Sequence, residues 1–363
     1  MVVGIDASRA NRKVKTGVEW YSYHIIEALK DIVPNEVTIR LYSDTPLEGR
    51  LARLPNNWES RVLRWPPRYL WTVLRLSAEL FSSPPDILFV PGSALPFVLP
   101  KRTVTTLHDI GFVRLPKAYR RRSRLYLLFN ARRAIKHCAR IITISTFSKD
   151  EIEDVYDVSG EKIVVTPLAA HRTTVAQKNG SSSSQMAAPY FLYVGRLESK
   201  KNIAGIVRAF SQFRTANPIV ELVLVGARGY GAEEIDHLLD ELGATRITVL
   251  PWVSEDERLA LLAGAKAFIF PSFYEGFGMP ILEAFHAGVP VVTADRGAMR
   301  EVAGDAALLV DLDNTNELAE AMKHIVEDTA LVAELVHRGH NRASQFSWQN
   351  TAQKTWHTLA VLL

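Results

Sequence analysis

Glu275 and Glu283 stand eight positions apart, on either side of a glycine-containing turn. Gly276 and Gly278 let the backbone approach a ligand closely. Pro280 is predicted to be the first residue of a helix, a position that needs no backbone N–H, and amides at a helix start can bind a phosphate. Because carboxylates repel phosphate but accept hydrogen bonds from hydroxyls, the pattern favours a phosphate between two polyhydroxy parts, as in a nucleotide-sugar. The plainer interpretation is a capped helix with an acidic first turn.

A second loop carries cations that suit the same ligand. Arg196 and Lys201 lie in the segment GRLESKKN, directly after an apolar run at 190–194. A planar guanidinium and a mobile ammonium both bind diphosphates well. Since the ends of parallel strands meet at one edge of a sheet, we expect this loop to lie beside the loop that holds Glu275.

Two further positions follow predicted strands near the start of the chain. Gly17 lies between the first strand and a helix predicted over 18–30, and His108 ends an apolar strand. Open α/β sheets bind ligands at such places, and a histidine there can exchange a hydrogen bond near neutral pH. The alternatives are an ordinary glycine at a helix start and a histidine that bonds to backbone.

The elements that must position these residues form two successive α/β patterns. At 363 residues the chain exceeds the usual size of one hydrophobic core. Short apolar strands alternate with helical segments, which predicts two doubly wound, mainly parallel sheets. The first set of strands is predicted at 2–6, 37–42, 62–65, 86–90, 104–107, 141–144 and 163–165, and the second at 190–194, 222–225, 247–250, 267–270, 289–293 and 308–310.

A polar segment rich in Ser and Gly separates the two patterns and predicts a linker. The predicted division is a first domain at 1–172, the linker at 173–189, a second domain at 190–346 and a terminal helix at 347–363. The one cysteine, Cys138, excludes an internal disulfide and a cysteine-based zinc cluster. We find no export signal and no run of about 18 apolar residues, so a soluble or peripheral protein made without export is expected.

Basic charge is concentrated in the first half of the chain. Up to Ala170 there are 26 Lys and Arg against 17 Asp and Glu, whereas the rest has 17 against 22. No acidic residue occurs over 110–149, and aromatic residues are interleaved with the basic ones. Such mixtures suit an anionic membrane surface more than nucleic acid, although many of these residues will belong to an ordinary solvated face. The patch is represented by Arg64, Arg68, Trp71, Arg120, Arg121, Arg122 and Arg124.

Together these motifs resemble the retaining glycosyltransferases of family four. The resemblance covers nearly the whole chain: Gly17, His108 with Asp109, the segment at 144–148, the GRLESKKN loop and PSFYEGFGMPILE. It implies the GT-B fold, in which two Rossmann-like doubly wound domains face each other across a cleft and a C-terminal helix crosses back to the N-terminal domain.

The family's site residues map onto this sequence one by one. Arg196 and Lys201 would bind the donor diphosphate, Glu283 the ribose and Glu275 the donor sugar, while His108 would touch the sugar from the opposite domain. The resemblance thus implies His108, Glu275, Arg196 and Lys201 as the catalytic set. The rest of the donor site would comprise Gly17, Trp252, Val253, Gly276, Phe277, Gly278, Met279, Pro280, Ile281 and Glu283.

The implied activity is transfer of a hexose with retention of configuration, without metal or other cofactor. Similarity to bacterial mannosyltransferases favours GDP-mannose as the donor and a growing, lipid-linked cell-surface glycan as the acceptor, on the cytoplasmic side of the membrane. The alternatives are a UDP- or dTDP-sugar donor, a nucleotide-sugar epimerase of the same fold, and a non-catalytic nucleotide-sugar-binding partner of another transferase.

Overall fold

The computed structural model describes residues 1–65, 70–170, 188–243 and 245–363. The chain forms two compact units. The first contains Met1–Val113, Arg121–Leu168 and Ser347–Leu363, and the second contains Arg114–Arg120 and Ala169–Phe346. The predicted linker falls almost wholly on 171–187, which lie outside the described residues.

The first unit is built on a seven-stranded, all-parallel sheet with the strand order β3-β2-β1-β4-β5-β6-β7. Its central strands are buried on both faces, as parallel sheets require. The strands are β1 Val2–Asp6, β2 Thr38–Ser43, β3 Trp58–Val62, β4 Ile87–Val90, β5 Thr103–Thr106, β6 Arg140–Thr143 and β7 Ile163–Val165.

Helices join these strands, and one more helix comes from the far end of the chain. That last helix packs against α1, where the rings of Trp348 and His24 stack at 4.7 Å between centroids. Thr351 also donates a hydrogen bond to the Pro167 carbonyl at 2.5 Å. The helices of this unit are α1 Gly17–Leu29, a π-helix at Trp71–Arg75, α2 Leu76–Ser82, α3 Gly111–Arg114, α4 Arg121–His137, α5 Thr146–Tyr156 and α13 Trp348–Ala360.

The second unit holds a six-stranded, all-parallel sheet in the order β10-β9-β8-β11-β12-β13. Its strands are β8 Tyr190–Val194, β9 Glu221–Val225, β10 Ile247–Leu250, β11 Ala267–Phe270, β12 Val291–Ala294 and β13 Leu308–Val310. Its helices are α6 Ile203–Phe213, α7 Ala232–Glu241, α8 Glu255–Gly264, α9 Met279–His286, α10 Gly297–Ala303, α11 Thr315–Glu327 and α12 Thr329–Ser344.

The predicted α/β architecture of two Rossmann-like domains is confirmed, with α13 packed on the first of them. The strand predicted at 62–65 is wrong, because β3 spans Trp58–Val62 and only Trp58 in it is buried. This strand lies at the edge of the sheet and carries polar residues. It therefore has no apolar run of its own, and the prediction was placed on the apolar residues that follow it. No helix within the described ranges is both long and apolar enough to cross a membrane.

Candidate active site

Lys201 and Glu275 form an ion pair in the second unit. Lys201 ends a short turn after β8, and Glu275 follows β11, the neighbouring strand of the sheet. The two loops are tied together by backbone, since the Phe273 N–H donates to the Lys200 carbonyl at 2.9 Å. The convergence that the sequence predicts for these two loops is therefore present.

The pair is largely shielded from water, with each side chain 14% exposed. Burial raises the pKa of Glu275, but the ammonium groups of Lys201 and Lys200 outweigh it and hold that pKa below its ordinary value. Glu275 is therefore ionised at neutral pH and available to accept hydrogen bonds from hydroxyls.

Arg196 lies in the same loop as Lys201, but its side chain is exposed to solvent. Its carbonyl accepts a hydrogen bond from the Tyr193 hydroxyl at 2.9 Å, which fixes the backbone at this position. The guanidinium thus projects from an anchored backbone, an arrangement suited to binding an anion from solution.

The start of α9 differs from the prediction in detail. Met279 is the first helical residue and Pro280 the second, and the Ile281 N–H already donates to the Gly278 carbonyl at 3.0 Å. Pro280 has no N–H, and the N–H of Ile281 is used in that hydrogen bond. Of the first three helical residues, Met279 is therefore the one whose amide can bind a phosphate. Gly278 has φ +107°, which only glycine adopts readily, and no side chain caps the helix.

Two neighbours of Glu275 have structural roles in the loop. Phe277 is buried and packs edge-to-face on Phe346, with the ring centroids 5.7 Å apart. Gly276 is buried beside it. The Phe277 ring therefore anchors the loop in the core, and of this residue only the backbone is left for the donor site.

Glu283 is held by Arg258, a residue that the sequence prediction missed. The Arg258 guanidinium donates to Glu283 Oε2 at 2.6 Å and to Glu255 Oε1 at 2.6 Å. Burial raises the pKa of the Glu283 carboxyl above its ordinary value, although Arg258 opposes the rise. The sequence signal here is limited to the start of α8, because Ser254 and Glu257 form a capping box, and this signal does not identify Glu283 as the partner of Arg258.

Trp252 and Val253 follow β10 at the edge of the second sheet. The Trp252 side chain is 55% exposed, and Val253 is half-buried. An exposed indole at a strand end offers a face on which a planar ring can stack.

In the first unit, His108 lies at the end of β5 with its ring packed edge-to-face on Tyr21, 4.8 Å between centroids. Its Nε2 is 3.1 Å from the Pro91 carbonyl and donates a hydrogen bond to it, which leaves Nδ1 as an acceptor. Burial lowers the pKa of His108, so the ring is neutral at pH 7. The alternative in which His108 bonds to backbone is thus present. It still leaves the Nδ1 atom of the ring to accept a hydrogen bond from a substrate.

Gly17 is exposed and is the first residue of α1, after a capping box between Thr16 and Glu19. Arg9 supports this turn through an ion pair with Glu19 at 2.9 Å. The Gly17 amide therefore lies at the start of a helix, where the capping side chains of Thr16 and Glu19 already bond to other groups.

Comparison with known proteins decides the family. Residues 15–170 match the model described as Glycosyltransferase Family 4, and residues 176–343 match the model for glycosyl transferases group 1. The chain is 30% identical to the O-antigen chain mannosyltransferase B of Escherichia coli over 86% of this chain and 82% of that protein. The chain belongs to glycosyltransferase family 4.

Other relatives of this glycosyltransferase agree. It is 25% identical to the O-antigen chain mannosyltransferase RfbU of Salmonella typhimurium, over 96% of this chain and 97% of that protein. Its fold matches Alr3699/HepE from Anabaena, solved in complex with UDP-glucose, with a TM-score of 0.73, 19% identity and 99% of both chains covered. The structural neighbours are GT-B glycosyltransferases, so the GT-B fold expected from the sequence is confirmed.

The basic patch of this glycosyltransferase is only partly a surface feature. Arg64, Arg121 and Arg122 are exposed, but Trp71 is 3% exposed and donates from Nε1 to the Leu63 carbonyl at 2.6 Å. Trp71 is therefore a core residue, and its assignment to the patch is wrong. Arg68 lies outside the described residues.

The remaining members of the patch separate from one another. Arg124 donates to the Phe112 carbonyl at 2.9 Å, which ties α4 to the chain before it. Arg120 belongs to the second unit rather than the first. Among the residues that the structure describes, no group of three or more His, Cys, Asp or Glu is placed to hold a metal ion.

Proposed function

We propose that this glycosyltransferase transfers mannose from GDP-mannose, with retention of configuration and without a metal ion, to a hydroxyl of a growing lipid-linked glycan. The observation that carries this proposal is the Lys201–Glu275 pair, which places a cation and an ionised carboxylate together where neighbouring strands of the second sheet end. A donor has a diphosphate that needs the cation and sugar hydroxyls that need the carboxylate.

The chemistry follows from these charges. As the bond between the anomeric carbon and the diphosphate breaks, negative charge grows on phosphate, where Lys201, Arg196 and the Met279 amide stabilise it. Glu275 holds hydroxyls of the donor sugar and stabilises positive charge on the ring. The acceptor hydroxyl attacks the same face, and its proton passes to the leaving phosphate. Fixed cations do the neutralising work that a metal does elsewhere.

Mannose is favoured by the relatives that match over most of the chain. Both O-antigen relatives are named as mannosyltransferases, and their names also support a role in making a cell-surface polysaccharide. HepE was solved with UDP-glucose, but its 19% identity is evidence for fold alone. UDP- and dTDP-sugars are therefore the alternatives that the donor test must include.

We also propose that the enzyme works at the cytoplasmic surface of a membrane, where a lipid-linked acceptor is held. Support comes from α4, where Leu125 is 56% and Phe129 51% exposed. These residues are four positions apart and so share one helix face. Arg133 stacks on Phe129 at 5.6 Å and on Phe97 at 5.5 Å, which continues the apolar face onto a neighbouring loop. Exposed apolar residues among arginines suit an anionic lipid surface.

The test is a panel of GDP-, UDP- and dTDP-sugars, measured by binding and by slow donor hydrolysis with excess chelator present. We expect GDP-mannose to bind most tightly and to release GDP. Glu275→Ala and Lys201→Ala should lower turnover by at least about 100-fold while the far-UV circular dichroism stays unchanged.

Several outcomes would contradict the proposal. Full activity of both variants would overturn the site, and loss of activity with chelator would overturn metal independence. A changed sugar still attached to its nucleotide would identify an epimerase. Tight donor binding with neither hydrolysis nor transfer to a lipid extract would identify a binding protein.

A further inference from the structure

The second unit contains a cavity of about 870 Å³ that the donor site does not use. One wall is the segment Arg114–Arg120, and the other walls are the loops after β8, β9, β11 and β12 together with the start of α7. Its volume lies within the range of small-molecule sites. The four donor-site side chains discussed above, Arg196, Lys201, Glu275 and Glu283, are not among its lining residues.

The floor of the cavity is held by backbone hydrogen bonds between loops. The Ser199 N–H donates to the Tyr230 carbonyl at 3.1 Å, and the Gly229 N–H donates to the Leu197 carbonyl at 2.8 Å. A Cβ on Gly229 would lie 2.8 Å from the Glu198 Cβ, so this close approach needs glycine. The site is therefore built into the packing of the unit.

The lining is strongly cationic. The basic residues that line it are Arg114, Lys117, Arg120, Lys200 and Arg296, and the acidic ones are Glu233 and Glu234. Within the described ranges, Lys117 and Arg120 have no hydrogen-bond or ion-pair partner, whereas Arg296 is paired with Asp313 at 3.2 Å. Two unpaired cations on one wall would bind an anionic group, and the two carboxylates could accept hydrogen bonds from hydroxyls.

Two aromatic side chains complete the lining. Tyr230 and Phe273 are both partly exposed in the cavity wall, and Lys200 lies over the ring of Tyr119 at 5.4 Å. Aromatic faces offer an apolar surface beside the polar groups, which suits a sugar ring or the first carbons of a lipid.

The cavity lies directly beside the reacting groups. Lys200 precedes Lys201, and its charge helps to lower the pKa of Glu275. Phe273 is two residues before Glu275 and bonds through its N–H to the Lys200 carbonyl. A ligand in the cavity would therefore lie next to the position where the donor sugar is expected.

We propose that this cavity binds the acceptor through an anionic group, either a phosphate that links the glycan to its lipid or the carboxylate of an acidic sugar. Lys117 and Arg120 bind the anion, and Glu233 and Glu234 accept from acceptor hydroxyls. The inference rests on the proposed transferase function and adds a chemical class for its second substrate.

The experiment measures binding, so it needs no turnover. The protein is saturated with the nucleotide that the donor panel selects and is then titrated with farnesyl diphosphate, octyl glucuronide and octyl glucoside. We expect at least one charged probe to bind, and the neutral glucoside to bind at least about 10-fold more weakly. The stronger charged probe distinguishes a lipid-linked diphosphate from an acidic sugar.

Lys117→Gln and Arg120→Gln should each lower the affinity for the charged probe about 10-fold and leave the affinity for the nucleotide unchanged. Lys136→Gln and Arg208→Gln remove exposed cations elsewhere and serve as matched controls. Equal binding of all three probes, or unchanged affinity in both variants, would overturn the inference. If the proposed transferase function is wrong, the protein binds no nucleotide-sugar in the donor panel. That result is distinct from a failure of the acceptor-site inference, which appears only in the probe titrations.

Discussion

The Arg258 guanidinium donates to Glu283 Oε2 at 2.6 Å across the gap between α8 and α9. A second donor of the same group bonds to Glu255 at 2.6 Å. One oxygen of Glu283 is thus committed to Arg258, and we infer that this contact orients Oε1 toward the ribose. Arg258 is a positioning residue in this scheme, since it acts through Glu283.

A double-mutant cycle tests this role of Arg258. In the wild type, the nucleoside diphosphate should bind about 10- to 100-fold more tightly than its 2′,3′-dideoxy analogue, because the analogue would lose the proposed hydrogen bonds from the ribose hydroxyls to the Glu283 carboxylate. Glu283→Gln and Arg258→Gln should each abolish most of this preference, and the double variant should lose no more than either single one. Arg208→Gln is the control. Additive losses would mean that Arg258 does not act through Glu283.

The two carboxylates should affect stability in opposite directions as the pH falls. The pKa of Glu275 is below its ordinary value of 4.5, so its stabilisation is present above pH 4.5 and is lost as the pH falls through the lowered pKa. The pKa of Glu283 is raised, so its contribution is fully present below pH 4.5 and is lost as the pH rises through the raised value.

Urea unfolding from pH 3.5 to 7 measures this difference. The difference in free energy of unfolding between the wild type and Glu275→Gln should decrease as the pH falls. The corresponding difference between the wild type and Glu283→Gln should increase as the pH falls. Curves of the same sign for the two variants would contradict the charge environments described for these residues.

Membrane binding by α4 should depend on salt and on its exposed apolar face. The enzyme should sediment with phosphatidylglycerol vesicles but not with phosphatidylcholine vesicles, and binding should weaken as NaCl rises. Arg121→Gln should lower the partition coefficient about 5-fold, because each basic residue contributes about 1 kcal/mol. Phe129→Ala should lower it further, whereas Ile219→Ala, at an exposed site in the second unit, should not. No binding even at low salt would rule out this surface.

Substitutions of Trp348 and Trp252 should have different effects, one on stability and the other on nucleotide binding. Trp348 stacks on His24 where α13 meets α1, so Trp348→Ala should lower the free energy of unfolding by about 2 kcal/mol. Trp252 is mostly exposed, and Trp252→Ala should change stability by less than about 0.5 kcal/mol but weaken nucleotide binding. Thermal denaturation and nucleotide titration of both variants check this crossed pattern.

Much of this fold follows from the sequence because parallel strands are buried on both faces and so appear as unbroken apolar runs. Strands such as β8 and β11 were predicted at their actual bounds for that reason. The edge strand β3 lacks this signal. The packing of the C-terminal helix on the first domain was expected only from the family resemblance, and its contact with α1 was not predicted, because the pattern of a helix does not identify its partner.

The site shows the same division. The loops of Lys201 and Glu275 were predicted to meet because neighbouring parallel strands end together. The bond between Arg258 and Glu283 joins residues 25 positions apart, and no periodicity predicts such a contact. The burial of Trp71 was missed because an indole among arginines has the same local pattern whether it is exposed or buried.

The last segment of the first unit, Ser347–Leu363, follows the main segment of the second unit, Ala169–Phe346, in the sequence. A ribosome therefore makes all of the second unit before it makes α13. Until then, the side of α1 that packs on α13 lacks this partner. We conclude that the first unit completes its folding only after the second unit has emerged.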